Sequence, residues 1–392
     1  MRKRARTIYD MYARDLSPED LQRLFTHDTR DAYRFFTRGF DEDAFATLPW
    51  WKRFPERVRQ VFVAFTLKLP PARRAIYLGA VIIALVGVFR LFRGFAAVDF
   101  PLGLPFFQIA IALPVWADGT LAIIVAFLLL NLLVLLEVAD RLSLKGELEV
   151  AREIQLAMLP DGTYRHADIE ICGLTRPANT VGGDFYDVLP LADGRVIVTL
   201  GDVAGKGSPA ALLMALLLAV LRTLVDDVAD PRELVARLNQ QISRHAPATR
   251  FITLFFGVYE PASGRLTYVN AGHTPPLLRR GDGRFERLEG TGVALGMFEK
   301  STYVAVDALV APGDTLVMYS DGITEAEDPN GHPLEEAGLE EVVATYSASS
   351  PAEMGTAIVK AVERHANATR FADDLTILIL KRTARHTSHP AA

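Results

Sequence analysis

The sequence predicts an α+β layered domain that follows a pair of membrane-spanning helices. Residues 161–382 contain short apolar runs separated by turn residues, and their helical patterns are grouped instead of alternating with each strand. Two apolar stretches of nearly membrane-spanning length precede them. The 392 residues are therefore divided into a cytoplasmic helical segment 1–70, a transmembrane region 71–139, a linker helix 140–160, the α+β domain 161–382 and a disordered tail 383–392.

The composition restricts the class of protein. Half of the residues are apolar, and the formal net charge is −5, so there is no global basic field to attract nucleic acid. We expect no nucleic-acid partner. The single cysteine, Cys172, excludes an intrachain disulfide framework and fits a reducing compartment.

Two transmembrane spans are predicted, at about 75–95 and 119–139, each close to the roughly 20 residues that cross a bilayer. Basic residues stand before the first span and after the second, whereas 94–119 contains no Lys or Arg. The positive-inside rule then places both ends of the region in the cytoplasm. The proline-interrupted stretch Phe100–Trp116 remains open as a third span, a re-entrant segment or an interfacial loop.

The linker segment 140–160 is predicted to continue the second span as an amphipathic helix, which Pro160 ends. Its apolar side chains recur at three- and four-residue steps on one face. They are Leu144, Leu148, Ala151, Ile154 and Met158. We expect this short apolar stripe to pack against either a partner helix or the following domain.

Acidic residues follow apolar, strand-like runs at several places in the C-terminal domain. Val196–Gly201 runs into Asp202, and Leu316–Ser320 runs into Asp321. Asp next to Gly is also a common turn signal, but the repeated pattern favours oxygen ligands for a cation. Without Cys or His at ligand spacing, Mg²⁺ or Mn²⁺ is expected rather than zinc. Carboxylates so far apart in sequence form one site only if a sheet brings strand ends together.

A nucleotide-binding P-loop is disfavoured. Gly205, Lys206 and Ser208 have part of its composition, but the motif requires Gly at position 200 and Ser or Thr at position 207. Leu200 and Gly207 occupy those positions.

Five motifs in order resemble the SpoIIE/RsbU-type branch of the PP2C (PPM) protein serine phosphatases. They are GGDFYD at 182–187, GDVAGKG at 201–207, NAGH at 270–273, YSDGITE at 319–325 and DDLT at 373–376. The stretch AREIQLAMLP at 151–160 is similar to the helix that leads into that domain. The resemblance extends from about 147 to 382, and five ordered motifs are far more specific than any one of them.

This resemblance implies a PP2C-like β-sandwich flanked by helices (αββα) and two Mn²⁺ or Mg²⁺ ions that activate a water to attack phosphorus. It implies that Asp202 bridges the two ions and that the Val203 carbonyl binds one. Asp321 and Asp373 would hold the second ion, and Asp184 would act directly or through water. Asp374 is the alternative to Asp373. The catalytic set is accordingly Asp184, Asp202 and Asp321.

Three further residues of these motifs have two interpretations each. Lys206 stands where many relatives carry His, and it either attracts substrate phosphate or is a solvated loop lysine. His273 could be a general acid, but the family's NAGH turn favours a structural role. Glu325 is expected to support the Asp321 loop and not to bind metal.

The resemblance also implies a substrate, a partner and a location. The expected substrate is a phosphoserine or phosphothreonine protein, namely a STAS-type anti-sigma-factor antagonist of a bacterial partner-switching pathway. The expected location is the bacterial inner membrane with the catalytic domain in the cytoplasm. The linker stripe Leu148, Ala151, Ile154 and Met158 would form a regulatory homodimer contact. The alternatives are a non-catalytic signalling module, which the complete acidic set disfavours, and a small-molecule phosphoesterase.

Overall fold

The computed structural model describes residues 69–383 apart from 94, 102–107, 115, 161, 167, 227, 229, 248 and 368–370, together with isolated positions between 49 and 66. The expected helical segment 1–70 lies almost wholly outside the described residues, and the tail beyond 383 lies outside them entirely. The chain divides into two compact units, Met1–Leu142 and Ser143–Ala392.

The first unit contains helix α1 (Pro71–Arg93), an antiparallel ribbon and the start of a long helix α2 (Trp116–Met158). The ribbon pairs β1 (Phe95–Pro101) with β2 (Gln108–Pro114), so the described residues between Phe100 and Pro114, part of the stretch left open by the sequence, lie in strands. Both helices are long and apolar enough to cross a membrane, judged by length and composition alone. Helix α2 continues without a break through the predicted linker.

Helices α1 and α2 approach each other closely at two glycines. A Cβ on Gly87 would lie 3.0 Å from the Gly119 carbonyl oxygen, and one on Gly119 would lie 2.8 Å from the Gly87 carbonyl oxygen. Near the other end of the pair, Arg73 forms salt bridges with Glu137 (3.2 Å) and Asp140 (2.6 Å). Small residues at the crossing and an ion pair at the end hold the two helices as a hairpin.

The second unit contains two antiparallel sheets. The strands are β3 (Thr163–His166), β4 (Ile169–Arg176), β5 (Phe185–Pro190), β6 (Val196–Val203), β7 (Ile252–Glu260), β8 (Arg265–Ala271), β9 (Leu277–Arg279), β10 (Phe285–Arg287), β11 (Val306–Leu309), β12 (Thr315–Tyr319) and β13 (Leu375–Arg382). The six-stranded sheet has the order β10-β9-β12-β13-β4-β3, and the five-stranded sheet has the order β11-β8-β7-β6-β5.

Helices cover both sheets. They are α3 (Ser208–Leu224), α4 (Pro231–His245), α5 (Asp321–Thr324), α6 (Glu335–Thr345) and α7 (Pro351–Ala366). Strand β13 shows the layers, because its side chains alternate between two apolar clusters. Leu378 and Leu380 join the cluster that contains the five-stranded sheet with α3 and α4. Ile377 and Ile379 join the cluster with α6 and α7. The expected αββα sandwich is confirmed.

The sequence predicts helices at Ser208–Leu224, Pro231–His245 and Pro351–Asn367, and all three are found with ends within one residue of these bounds. Helix α4 is capped by Asp230, whose side chain accepts from the Arg232 N–H. Helix α7 begins with a capping box between Ser350 and Glu353. It ends at Ala366, one residue before the predicted end, and Asn367 follows in the left-handed conformation (φ 47°).

Candidate active site

The ends of four strands place four aspartates at one edge of the sandwich. Asp184 directly precedes β5, and Asp202 is the penultimate residue of β6; the two strands pair with Phe185 opposite Gly201. In the other sheet, Asp321 follows the end of β12 and Asp373 precedes β13, and these strands are also antiparallel neighbours. Antiparallel pairing brings the start of one strand beside the end of the next, so residues distant in sequence converge.

These carboxylates are close enough to repel one another. Burial and then the Asp202 charge raise the pKa of Asp184 well above its usual range. Burial and then Asp321 raise the pKa of Asp202 to about 6. Burial and then Asp373 raise the pKa of Asp321. The Oδ2 atom of Asp184 is buried without a hydrogen-bond partner, an arrangement that favours a bound cation.

Asp373 and Asp374 are adjacent but have different surroundings. Asp373 is half exposed and pairs with Lys206, whose Nζ lies 2.8 Å from its Oδ2 atom. This hydrogen bond raises the pKa of the Lys206 ammonium. The Lys206 Nζ also donates to the Ala372 carbonyl oxygen at 2.5 Å. Lys206 is therefore paired with Asp373 and with the Ala372 carbonyl oxygen, while about half of its side chain remains exposed.

Asp374 is buried and hydrogen-bonded to the backbone of the 178–184 loop. Its Oδ1 atom accepts from the Ala178 N–H at 2.8 Å, and its Oδ2 atom accepts from the Gly183 N–H at 2.7 Å and the Asp184 N–H at 3.4 Å. A carboxylate with this many backbone donors holds a loop in place and has little capacity left for a metal. Of the two alternatives, Asp373 is the one that remains available.

Glycines at this edge allow a closeness of packing that a side chain would prevent. The interpretation of Asp-Gly as a turn signal does not predict this packing. A Cβ on Gly182 would overlap the Asp374 carboxylate, and one on Gly322 would overlap the Asp374 carbonyl oxygen. A Cβ on Gly183 would lie 2.8 Å from the Val203 carbonyl oxygen. The Gly-Gly-Asp and Asp-Gly motifs are thus parts of one packed centre.

Gln155 is a site residue that sequence reasoning missed. Its side chain is 5% exposed, on helix α2, and forms two hydrogen bonds with the backbone of Gly182. Within the predicted stripe, Leu148, Ala151 and Met158 are half-buried, whereas Ile154 is 59% exposed. Gln155 lies four residues after Ala151 and therefore on the same face of the helix, but it is polar and so does not belong to the apolar stripe.

A second contact holds the end of helix α2 to this unit. The Arg222 guanidinium donates to the Met158 carbonyl oxygen at 2.6 Å and to the Asp187 carboxylate at 2.7 Å. Asp187 is buried on β5, three residues beyond Asp184. The helix end and the strand that begins at the acidic edge therefore share one arginine.

His273 is buried, and its backbone N–H and both ring nitrogens have hydrogen-bond partners. Its backbone N–H donates to Asn270 Oδ1 at 2.9 Å. Its Nε2 atom lies 3.2 Å from the Tyr319 carbonyl oxygen and its Nδ1 atom 2.9 Å from the Thr253 hydroxyl. Because a carbonyl only accepts, Nε2 carries the proton and Nδ1 accepts. Glu325 is exposed, and its backbone N–H donates to the Asp321 carbonyl oxygen at 2.8 Å.

The acidic edge fits a divalent cation by its donor chemistry. In the part of the chain that the structure describes, no three His, Cys, Asp or Glu side chains are already arranged around a common point for an ion. The available donors are nonetheless all oxygen, one buried carboxylate oxygen has no partner, and the carboxylates repel one another. Hard cations such as Mg²⁺ and Mn²⁺ prefer this donor set.

The C-terminal part of this chain is similar to known proteins. The family model described as stage II sporulation protein E (SpoIIE) matches residues 192–383, a range that contains Asp202, Asp321 and Asp373. Phosphoserine phosphatase RsbU of Bacillus subtilis (strain 168) is 29% identical over 241 residues, which cover 61% of this chain and 71% of that protein. Protein IcfG of Synechocystis sp. is 30% identical over 273 residues, covering 63% of this chain and 43% of that protein.

The fold has a counterpart among solved structures. The SiaA-PP2C domain of Pseudomonas aeruginosa superimposes with a TM-score of 0.55 and 23% sequence identity, covering 63% of this chain and 99% of that chain. At this identity the likeness concerns the fold. Together with the family match and the ordered acidic motifs, it shows that the C-terminal part of this chain is a PP2C-type phosphatase domain of the SpoIIE family.

Proposed function

We propose that this protein is a membrane-anchored, Mn²⁺- or Mg²⁺-dependent phosphatase that hydrolyses phosphoserine or phosphothreonine in a protein substrate. One observation carries the proposal. Asp184, Asp202, Asp321 and Asp373 converge from four strand ends, and one buried carboxylate oxygen among them has no partner. Such a centre is costly to keep without cations, because like charges oppose one another's ionisation.

Each residue of the edge has a role in this proposal. Asp202 would contact both ions, and Asp321 and Asp373 would hold the second. The Val203 carbonyl and Asp184 would complete the first ion's surroundings, Asp184 directly or through water. When bound, two divalent cations would lower the pKa of a water and neutralise charge on the phosphate. Asp374 keeps the 178–184 loop in register, so that Asp184 stays within reach.

The names of the relatives support a protein substrate. RsbU is named a phosphoserine phosphatase, and by analogy we propose a phosphorylated STAS-type anti-sigma-factor antagonist as the substrate here. The two apolar helices support an anchor in the bacterial inner membrane, with the catalytic domain in the cytoplasm, as the distribution of basic residues predicts.

Helix α2 is the proposed regulatory element. Leu144 and Ile154 on it are more than half exposed, and an equivalent helix of a second copy would cover them. Gln155, on the same helix, binds the backbone of Gly182 beside the acidic edge. A homodimer contact would thus be transmitted to the loop that carries Asp184 through hydrogen bonds and not through a long chain of side chains.

A direct test measures hydrolysis of three substrates by the full-length protein in detergent. The substrates are p-nitrophenyl phosphate, a phosphorylated STAS-domain protein and a nucleoside monophosphate. Wild type is assayed with Mn²⁺ and with chelator, beside Asp202→Asn and the control Asp193→Asn. Asp193 is an exposed aspartate paired with Arg195 in the turn between β5 and β6. We expect Mn²⁺-dependent turnover that falls at least a hundred-fold in Asp202→Asn and is unchanged in the control.

The other outcomes separate the alternatives. Folded wild-type protein without turnover of any of the three compounds would indicate a binding module. Turnover of the two small esters without the phosphoprotein would indicate a small-molecule phosphoesterase. Turnover that survives both chelator and Asp202→Asn would contradict the metal-dependent centre.

A further inference from the structure

Lys206 is positioned by an unusual piece of backbone. It lies between Gly205 and Gly207, both with positive φ (106° and 75°), a conformation that favours glycine. Beneath this turn the Arg250 guanidinium donates to the Ala204 carbonyl oxygen at 2.5 Å and occupies the space that a Gly205 side chain would need. The loop between β6 and α3 therefore presents Lys206 from a built support.

The Lys206 ammonium reaches across the edge to the segment before β13. It contacts the Asp373 carboxylate at 2.8 Å and the Ala372 carbonyl oxygen at 2.5 Å. Among the described residues, it is the only Lys or Arg side chain that forms a salt bridge with any of the five aspartates at this edge. Its single charge thus pairs with a carboxylate that a divalent cation would also need.

We propose that Lys206 is a tethered cation that competes with the second metal ion for Asp373 and so sets the metal concentration at which the site fills. The proposal rests on the function proposed above, in which Asp373 holds that ion. A cation takes Asp373 only after the ammonium has withdrawn, and the half-exposed side chain has solvent into which to move.

The expected size of the effect is modest. Because exposed ion pairs are weak, we expect the Lys206–Asp373 pair to be formed in only about four-fifths of the molecules without metal. The apparent Kd is the intrinsic Kd divided by the competent fraction, so Lys206 raises the apparent Kd of the second ion about five-fold.

The test measures Mn²⁺ binding directly. Full-length protein in detergent is titrated with MnCl₂ while free Mn²⁺ is counted by electron paramagnetic resonance. The variants are Lys206→Gln, which removes the charge, Lys206→Arg, which retains it, and Lys360→Gln, which makes the same charge change on an exposed residue of α7. We expect Lys206→Gln to tighten the weaker Mn²⁺ site about five-fold, with Lys360→Gln unchanged and Lys206→Arg no tighter than wild type.

Thermal unfolding gives a second readout. In chelator, Lys206→Gln should unfold at a lower temperature than Lys360→Gln, because the carboxylates lose the ammonium that pairs with Asp373. Saturating Mn²⁺ should raise its unfolding temperature by more than it raises that of wild type. Together, the two readouts separate lost pairing from a general loss of fold.

Failure of this inference is distinguishable from failure of the proposed function. If wild type binds Mn²⁺ through Asp202 but Lys206→Gln leaves the weaker site unchanged or weakens it, the competition is wrong and the phosphatase proposal stands. Loss of inorganic phosphate binding in Lys206→Gln, with Mn²⁺ affinity unchanged, would make Lys206 a substrate residue and also overturn the competition. Wild type without any Asp202-dependent Mn²⁺ binding would remove both proposals.

Discussion

Gln155 holds both backbone groups of Gly182. Its Nε2 atom donates to the Gly182 carbonyl oxygen at 2.9 Å, and its Oε1 atom accepts from the Gly182 N–H at 3.1 Å. One residue further, the Gly183 N–H donates to Asp374, and Asp184 follows. A single glutamine on helix α2 and a single aspartate before β13 thus fix the loop that presents Asp184.

The Gln155 contact predicts a measurable loss on substitution. Gln155→Leu keeps the side-chain size but leaves the Gly182 N–H and carbonyl buried without partners, so we expect stability to fall by about 2 kcal/mol. Because the loop carries Asp184, we also expect phosphatase activity to fall about ten-fold. The measurements are thermal unfolding and Mn²⁺-dependent turnover of the full-length protein. Glu153→Gln, on the exposed side of the same turn, should change neither; full activity in Gln155→Leu would show that the loop holds its position alone.

Asp373→Asn and Asp374→Asn should have different consequences for stability. An Asn at 374 turns an NH₂ group toward backbone N–H donors, so we expect a loss of about 2 kcal/mol even in chelator. An Asn at 373 removes one of several repelling charges, so stability in chelator should stay the same or change little. Mn²⁺ binding should weaken mainly in Asp373→Asn. Equal loss of stability in both variants would mean that the two carboxylates do not have separate roles.

Because the His273 imidazole is buried, we expect the stability of the protein to fall below neutral pH. Burial lowers the pKa of His273 to about 4, against about 6.5 in the unfolded chain. Between these values the unfolded chain binds more protons, so the stabilising contribution is complete above about pH 6.5 and is lost as the pH falls toward 4. From pH 7 to pH 5 the loss from this group should be about 2 kcal/mol.

The check is urea unfolding of wild type and His273→Gln at both pH values. The variant is less stable at pH 7, but the part of the pH dependence due to the imidazole should be absent from it. Equal pH dependence in the two proteins would mean that His273 is not held neutral by burial.

Because Ile154 is exposed, a substitution there should affect assembly of the protein without affecting its folding. Ile154→Asp should leave the unfolding temperature nearly unchanged, because the side chain is 59% exposed in the single chain. It should abolish the proposed homodimer and change activity several-fold, as measured by light scattering on the detergent-solubilised protein and by turnover. Arg152→Asp, which is exposed and outside the apolar stripe, is the matched control. A variant with wild-type assembly and activity would remove the linker stripe from regulation.

Local patterns predicted much of the fold. Proline and capping residues mark helices α3, α4 and α7 so clearly that their bounds differ by at most one residue from the predicted ones. Short strands such as β9 and β10, of three residues each, were not predicted, because three residues carry too little periodicity to separate a strand from a loop. Helix α6 was also missed, since only Leu339 and Val343 are buried on it.

The sequence by itself determined the kinds of element, the two apolar helices and the acidic residues of the site, because periodicity, capping and ordered motifs are local properties of the chain. Only the tertiary structure decided how neighbouring residues divide their roles. Asp374 holds the loop while Asp373 faces Lys206, and Gln155 is buried while Ile154 is exposed. Adjacent residues share the same local pattern, and what separates them is which backbone donors and charges lie opposite, which only the packing of loops, strands and helix α2 against one another establishes.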